Sequence, residues 1–260
     1  MMHRARRRFS QNFLVDRSYI DRIVRSIAPC RDDHIVEIGP GLGALTEPLL
    51  DAAGRIDAIE IDRDAAAALE DRLAGRSLTV HCADFLNFDM ALLGNELRVV
   101  GNLPYHISSP ILFAVDRYRD RVRDCHFMLQ KEVVDRLVAI PASADYGRLS
   151  VMLQCRWHIE RLFDVPPTVF RPQPKVWSSV VRLQPVQTVN IADSALFYRI
   201  VEAAFSKRRK TLRNALRQIL TQADFEASGI DPGRRGETLS VAEFAALANR
   251  AGERLSASSV

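Results

Sequence analysis

The chain alternates between two apolar patterns. Short, nearly continuous apolar runs of strand type fall at 34–41 (HIVEIGPG), 55–62 (RIDAIEID), 77–85 (SLTVHCADF), 97–102 (LRVVGN) and 125–130 (CHFMLQ). Segments of helical spacing separate them. In 18–29, Ile20, Ile23, Val24 and Ile27 share one stripe and Pro29 ends the run. Residues 42–54 and 63–75 read as helices stopped by Gly54 and Gly75. Residues 131–139 form another, and ISSPILF (107–113), with Ile107, Ile111 and Leu112, a further one. Continuous rather than alternating apolar strands, in units of about 20–25 residues, predict an α/β fold: a parallel sheet with helices on both faces.

From about 150 the pattern changes. Residues 161–185 hold five prolines between two strand-like segments, which predicts an antiparallel hairpin at a sheet edge. Residues 185–193 read as a linker. The rest is helical, at 194–206, 209–220 and 240–250, with Phe205, Leu212, Leu216, Ile219 and Leu220 supplying apolar faces. The predicted organisation is an α/β domain over 1–187 and a small all-helical domain over 188–260.

Composition narrows the class. At 47% hydrophobic and 26% charged, the 260 residues fit an ordinary globular protein. No apolar run approaches the roughly 18 residues of a membrane span, and no apolar segment follows the basic N-terminus as in a secretory signal. Cys30, Cys82, Cys125 and Cys155 lie far apart in or near apolar runs. They are expected as buried thiols in a reducing cytoplasm, without a zinc site. His81, His106, His126 and His158 show no metal spacing and read as packing or surface residues. Trp157 and Trp177 read as core or edge residues rather than base-stacking groups.

Charge adds a partner. The net charge is +4 and the pI about 9.0. Positive charge concentrates in 3–8 and 206–213, making Arg6, Arg7, Arg8, Lys207, Arg208, Arg209, Lys210 and Arg213 candidates for contact with a polyanion.

In open parallel sheets, ligands bind beyond the carboxyl ends of the strands, and the unusual residues cluster there. After strand one come Gly39, Gly41 and Gly43, with GxGxG rather than GxGxxG spacing. After strand two comes Glu60-Ile61-Asp62, suited to accept hydrogen bonds from ribose hydroxyls and hostile to phosphate. After strand three comes Asp84-Phe85, suited to an adenine amine beside an aromatic ring. After strand four comes Asn102-Leu103-Pro104-Tyr105. The set implies a nucleoside without pyrophosphate, next to an amide and a flat ring. S-adenosylmethionine meets that description.

FSQNFLVD (9–16), VEIGPGLGALT (36–46), IEID (59–62), ADF (83–85), GNLPYHISSPILF (101–113) and VFRPQPKVWSSVVRL (169–183) stand in order. Together they resemble the KsgA-type ribosomal-RNA adenine dimethyltransferase family, relatives of the erythromycin-resistance methyltransferases. The resemblance covers nearly the whole chain, including FSKRRKTLRNAL in the helical part. It implies a class I (Rossmann-like) methyltransferase with a seven-stranded, mostly parallel sheet and a helical C-terminal RNA-binding domain. It implies N6-dimethylation of two adjacent adenines near the 3′ end of small-subunit RNA, in an assembling 30S particle, with S-adenosyl-L-homocysteine as co-product. A cytoplasmic monomer without membrane association is expected. The resemblance further implies that Asn12, Leu14, Gly39, Gly41, Glu60, Ile61, Asp84, Phe85 and Asn102 hold the cofactor. Asn102, Leu103, Pro104, Tyr105 and Phe170 serve catalysis, with Tyr105 and Phe170 on opposite faces of the target adenine. The family's usual Asn after NLPY is here His106. The other readings weighed are a large-subunit resistance-type methyltransferase, a DNA adenine methyltransferase and a non-catalytic assembly or RNA-binding factor.

Overall fold

The structure, a computed structural model, describes residues 12–187, 189–206 and 209–257. Among these the strands are β1 (Phe13–Leu14), β2 (His34–Ile38), β3 (Ile56–Glu60), β4 (Leu78–Cys82), β5 (Leu97–Asn102), β6 (Val122–Gln130), β7 (Trp157–Val165), β8 (Phe170–Arg171) and β9 (Ser178–Pro185). The helices are α1 (Arg17–Ile27), α2 (Thr46–Ala53), α3 (Arg63–Arg72), α4 (Ser108–Asp116), α5 (Lys131–Leu137), α6 (Arg148–Gln154), α7 (Ser194–Phe205), α8 (Leu212–Leu216), α9 (Gln222–Ser228) and α10 (Val241–Ala257). Two compact units result. One takes the chain up to Val134 plus Glu160–Pro185, the other Asp135–Ile159 plus the chain from Val186.

The first unit is built on a seven-stranded sheet of order β4-β3-β2-β5-β6-β9-β7. β4, β3, β2, β5 and β6 pair in parallel, and β9 runs antiparallel to β6. Ile35, Val36, Ile56, Ala58, Val99 and Val100 are shut off from water, which is why these strands read as continuous apolar runs. The two strands of the prolyl segment lie at the sheet edge, as expected, but not in chain order from the centre. β9 enters beside β6 and leaves β7 as the edge. Val180, Val181 and Leu183 of β9 are fully buried, whereas β7 carries mostly half-exposed positions.

The helices follow their punctuation. Asp16 caps α1 through Ser18 and Tyr19 N–H, and Ile20, Ile23 and Ile27 form its buried stripe. α2 begins at Thr46 rather than near 42, because Gly41 and Gly43 adopt positive φ and hold the chain in a turn. Arg98 on β5 ties α1 to the sheet. Its guanidinium donates to Ile27 O (2.6 Å), to Asp33 (2.6 Å) and to Asp124 on β6 (2.9 Å). A C-terminal carbonyl of α1 is thereby satisfied by a buried cation that is itself paired.

The second unit is helical. α6 packs on α7, α7 on α8 and α10, and α9 on α10. Asp135–Ile159 belongs here, although its pattern assigns it to the α/β domain. Tyr146 explains the placement: its hydroxyl donates to Leu239 O (2.8 Å) and its ring meets Phe205 edge-on. The thiols correct another expectation. Cys125 and Cys155 are buried, but Cys30, in the loop between α1 and β2, and Cys82, the last residue of β4, are exposed.

Candidate active site

The chain runs from β2 outward through β3 to β4, then returns on the other side of β2 as β5. Such a reversal opens a crevice beyond the carboxyl ends of the two central strands. A cavity of about 440 Å³ lies there. It gathers every residue named in the sequence for the cofactor and, Phe170 apart, for catalysis: Asn12, Leu14, Gly39, Gly41, Glu60, Ile61, Asp84, Phe85, Asn102, Leu103, Pro104 and Tyr105.

The floor is the turn after β2. Gly39 has φ +66, and a Cβ built on it would meet nothing within 4 Å, so the glycine leaves open space where a ligand could lie against backbone. Gly41 turns its N–H onto Glu60 Oε2 (3.0 Å), while Asp62 N–H donates to Oε1 (2.9 Å). Glu60 is thus fixed at the end of β3 and 3% exposed. Burial raises its pKa against those backbone donors. At the end of β4, Asp84 accepts from Leu86 N–H (3.0 Å) and from the Asn87 amide (2.9 Å).

Glu37, on β2 at the head of the Gly-rich stretch, carries no role of its own in the sequence pattern, although it too lines the cavity. Its carboxylate is 2% exposed and Oε2 has no hydrogen-bond partner among the described residues. Burial pushes its pKa up to about 7, with Thr46 opposing and the Glu60 charge adding to the rise. Its signal in the sequence was an acid inside an otherwise apolar strand. A buried carboxylate with one oxygen left unbonded among the described residues asks for a cationic neighbour. Among the described residues the wall carries Glu37, Glu60 and Asp84 and neither Lys nor Arg, so this part of the cavity repels phosphate and suits a cation.

The opposite wall follows β5. Asn102 donates from Nδ2 to Asn12 O (3.0 Å), and a carbonyl can only accept, so the amide has one orientation with Oδ1 turned away from Asn12. Leu103 is buried, its N–H bonded to Met128 O (3.1 Å). Tyr105 OH shares a hydrogen bond with Ser178 Oγ on β9 (2.7 Å), and burial raises its pKa despite that bond. His106 is exposed at the rim.

The structure places Phe170 apart from these residues. Its ring is 0% exposed, lies in the hydrophobic core and is absent from the cavity wall. β8 pairs with β1, Phe170 opposite Leu14. Phe170 therefore packs beneath the short strand whose Leu14 lines the cavity. Among the candidate polyanion contacts, Arg209, Lys210 and Arg213 are exposed on the helical unit. Arg6, Arg7, Arg8, Lys207 and Arg208 lie outside the described residues.

A doubly covered parallel sheet with an acidic, phosphate-averse cavity at its switch point defines the S-adenosylmethionine-dependent class I methyltransferases. Solved structures share the architecture. A dimethyladenosine transferase from Plasmodium falciparum superposes with a TM-score of 0.81 at 23% identity, over 92% of this chain and 98% of that one. The 23S rRNA methyltransferase ErmE superposes with a TM-score of 0.69 at 26% identity, over 93% and 100%. The profile of the ribosomal RNA adenine dimethylase family matches residues 2–253, and the chain belongs to that family. Similar curated relatives include the ribosomal RNA small subunit methyltransferase A of Aromatoleum aromaticum, 56% identical over 95% of this chain and 94% of the relative. The protein of the same name from Thiobacillus denitrificans is 55% identical over 95% and 97%.

Proposed function

We propose that this chain transfers methyl groups from S-adenosylmethionine to the N6 amine of adenine in small-subunit ribosomal RNA, twice at each of two adjacent adenines near the 3′ end. The observation that carries the reading is the fixed Asn102 amide, standing between an acidic cavity and the ring of Tyr105. The curated relatives at 55–56% identity bear a small-subunit name, whereas the likeness to the large-subunit enzyme is 26%.

The cofactor fits the residues present. Glu37 and Glu60 meet its positive charge and ribose, Asp84 and Phe85 its adenine, and Gly39 and Gly41 leave room along the backbone. Asn12, Leu14 and Ile61 close over it. When bound, S-adenosylmethionine supplies a methyl group made electrophilic by its sulfonium.

The rest falls to the chain. The lone pair of an adenine amine is delocalised into the ring, which makes the amine a weak nucleophile. Oδ1 of Asn102 accepts one amine N–H and favours a tetrahedral nitrogen whose lone pair points into the cavity. No strong base is needed, since the amine proton becomes acidic as nitrogen gains positive charge and leaves to solvent. Leu103 and Pro104 hold the wall stiff before binding. Tyr105 offers a stacking face, a contact that contributes about 1–3 kcal/mol against the few kcal/mol needed to unstack the base. The basic residues of 6–8 and 207–213 meet RNA phosphates and set position rather than sequence. The reading includes a cytoplasmic monomer acting on an assembling 30S particle. Among the described residues no helix is long and apolar enough to cross a membrane.

The test offers tritiated cofactor with small-subunit particles, large-subunit RNA and duplex DNA in parallel. Label in dimethyladenosine from the first substrate alone supports the reading. Label only in the second assigns the resistance-type activity, only in DNA a DNA adenine methyltransferase, and none anywhere a binding factor.

A further inference from the structure

Trp157 and Trp177 were expected alike as core or edge residues, and they part company in the structure. Trp157 is 2% exposed, while Trp177 is 51% exposed and its neighbour Val176 43%. Exposure of so large an apolar ring is unusual enough to ask what covers it. Its place in the sheet supplies the answer. Ser178, the first residue of β9, pairs with Gln130, the last of β6. β9 therefore starts at the carboxyl end of the parallel strands, the end that carries the cavity. The next residue along, Ser178, holds the hydroxyl of Tyr105 (2.7 Å), and Trp177 O accepts from Lys131 N–H (2.9 Å). The backbone that carries the indole is thus pinned beside the wall of the cavity.

The surrounding charge favours a nucleic-acid strand over a protein. The stretch 166–178 contains no acidic residue, and its Arg171 and Lys175 are both exposed. Among the described residues the cavity wall itself carries the carboxylates of Glu37, Glu60 and Asp84. A phosphate chain cannot follow its base into such a cavity, so it must run outside, past cations on the rim. A base swung out of its stack also leaves a neighbour with a bare face. An exposed indole one residue from the Tyr105–Ser178 bond is suited to cover that face.

We infer that Trp177 stacks on the base adjacent to the target adenine, with Arg171 and Lys175 against the phosphates of that strand, and so acts as a positioning residue for RNA. This rests on the reading of the cavity as the adenine site.

The test uses full-length W177A and W177F with unmethylated small-subunit particles for kinetics. Binding is measured with synthetic RNA abasic on the 5′ or the 3′ side of the target. W177A is expected to raise the KM for particles on the order of tenfold, leaving kcat at saturation and cofactor affinity unchanged, and W177F to restore most of the loss. An abasic residue at the stacked side should weaken wild type by a similar factor and W177A no further. The Trp177 emission, obtained as the difference between wild type and W177F, should be quenched by RNA. Unchanged KM in W177A, equal abasic penalties in both proteins, or unquenched emission overturns the inference. The emission measurement stands even if W177A fails to fold. Y105A separates the underlying reading. If it loses neither rate nor affinity, the adenine site is misplaced, whereas the abasic comparison still reports on Trp177.

Discussion

The side-chain amide of Asn102 is locked by the main-chain carbonyl of Asn12, 3.0 Å away. One bond thereby joins the end of β5 to the segment leading into β1, and it decides which way the acceptor oxygen of Asn102 faces. Asn102→Ala is expected to lower methyl transfer by a factor on the order of 10²–10³, with cofactor affinity largely kept. Calorimetric titration of cofactor beside single-turnover transfer checks this. Activity restored by excess cofactor would assign Asn102 to binding alone.

Glu37 makes the site sensitive to pH. Its pKa is raised from 4.5 to about 7, so between these values the folded protein holds a proton that the unfolded chain releases. The resulting stability is complete below 4.5 and is lost as pH rises through 7. A rise of this size is worth roughly 3 kcal/mol. The urea stability of wild type minus that of Glu37→Gln should fall by about that amount from pH 4.5 to above 7. Cofactor affinity should move the other way, strengthening above pH 7 in wild type as the carboxylate ionises, and staying flat in Glu37→Gln. Parallel affinity profiles for the two proteins would contradict a charge role.

Why Glu37 escaped a reading that found Glu60 and Asp84 is a matter of position. Glu60, Asp84 and Asn102–Tyr105 sit where strands end, and there polar residues stand out against the apolar run. Glu37 stands one residue before the end of β2, beside glycines whose turn accounts for the stretch without it, so nothing local gives it a role. The parallel sheet was legible because strands buried on both faces must be continuously apolar. The pairing of Leu14 with Phe170 was not, since two-residue strands leave no periodicity and their partners lie far apart in the chain. Phe170 was placed by resemblance and proved to be core. The two tryptophans could not be told apart, because burial of a single aromatic depends on what the fold brings over it. The transfer of Asp135–Ile159 to the helical unit depends on tertiary bonds such as that of Tyr146 to Leu239, which no local pattern encodes.

Arg98 tests the far end of the sheet. It is buried with Asp33 and Asp124, its side chain 6% and theirs 5% and 9% exposed. The two carboxylates, together with the carbonyl of Ile27, would be left without this donor in Arg98→Met. The change is expected to cost about 3–5 kcal/mol and to lower the thermal midpoint by on the order of 10 °C. Calorimetry checks it, and an unchanged midpoint would mean that solvent reaches the pair.

The basic segment at 207–210 is expected to act through counterion release. Replacing Lys207, Arg208, Arg209 and Lys210 by alanine should weaken RNA binding and reduce the slope of log affinity against log salt by up to roughly 3, at about 0.7 per lost single-strand contact. Filter binding across a salt series measures it. An unaltered slope would return the segment to ordinary solvated surface.

The central claim is dimethylation of adenine in small-subunit RNA through Asn102. It is tested most directly by digesting small-subunit RNA to nucleosides after incubation of unmethylated particles with cofactor and either wild type or Asn102→Ala, followed by mass spectrometry. The account predicts N6,N6-dimethyladenosine at two neighbouring positions with wild type and essentially none with Asn102→Ala. Dimethyladenosine at equal levels with both proteins, or its absence with wild type, would contradict it.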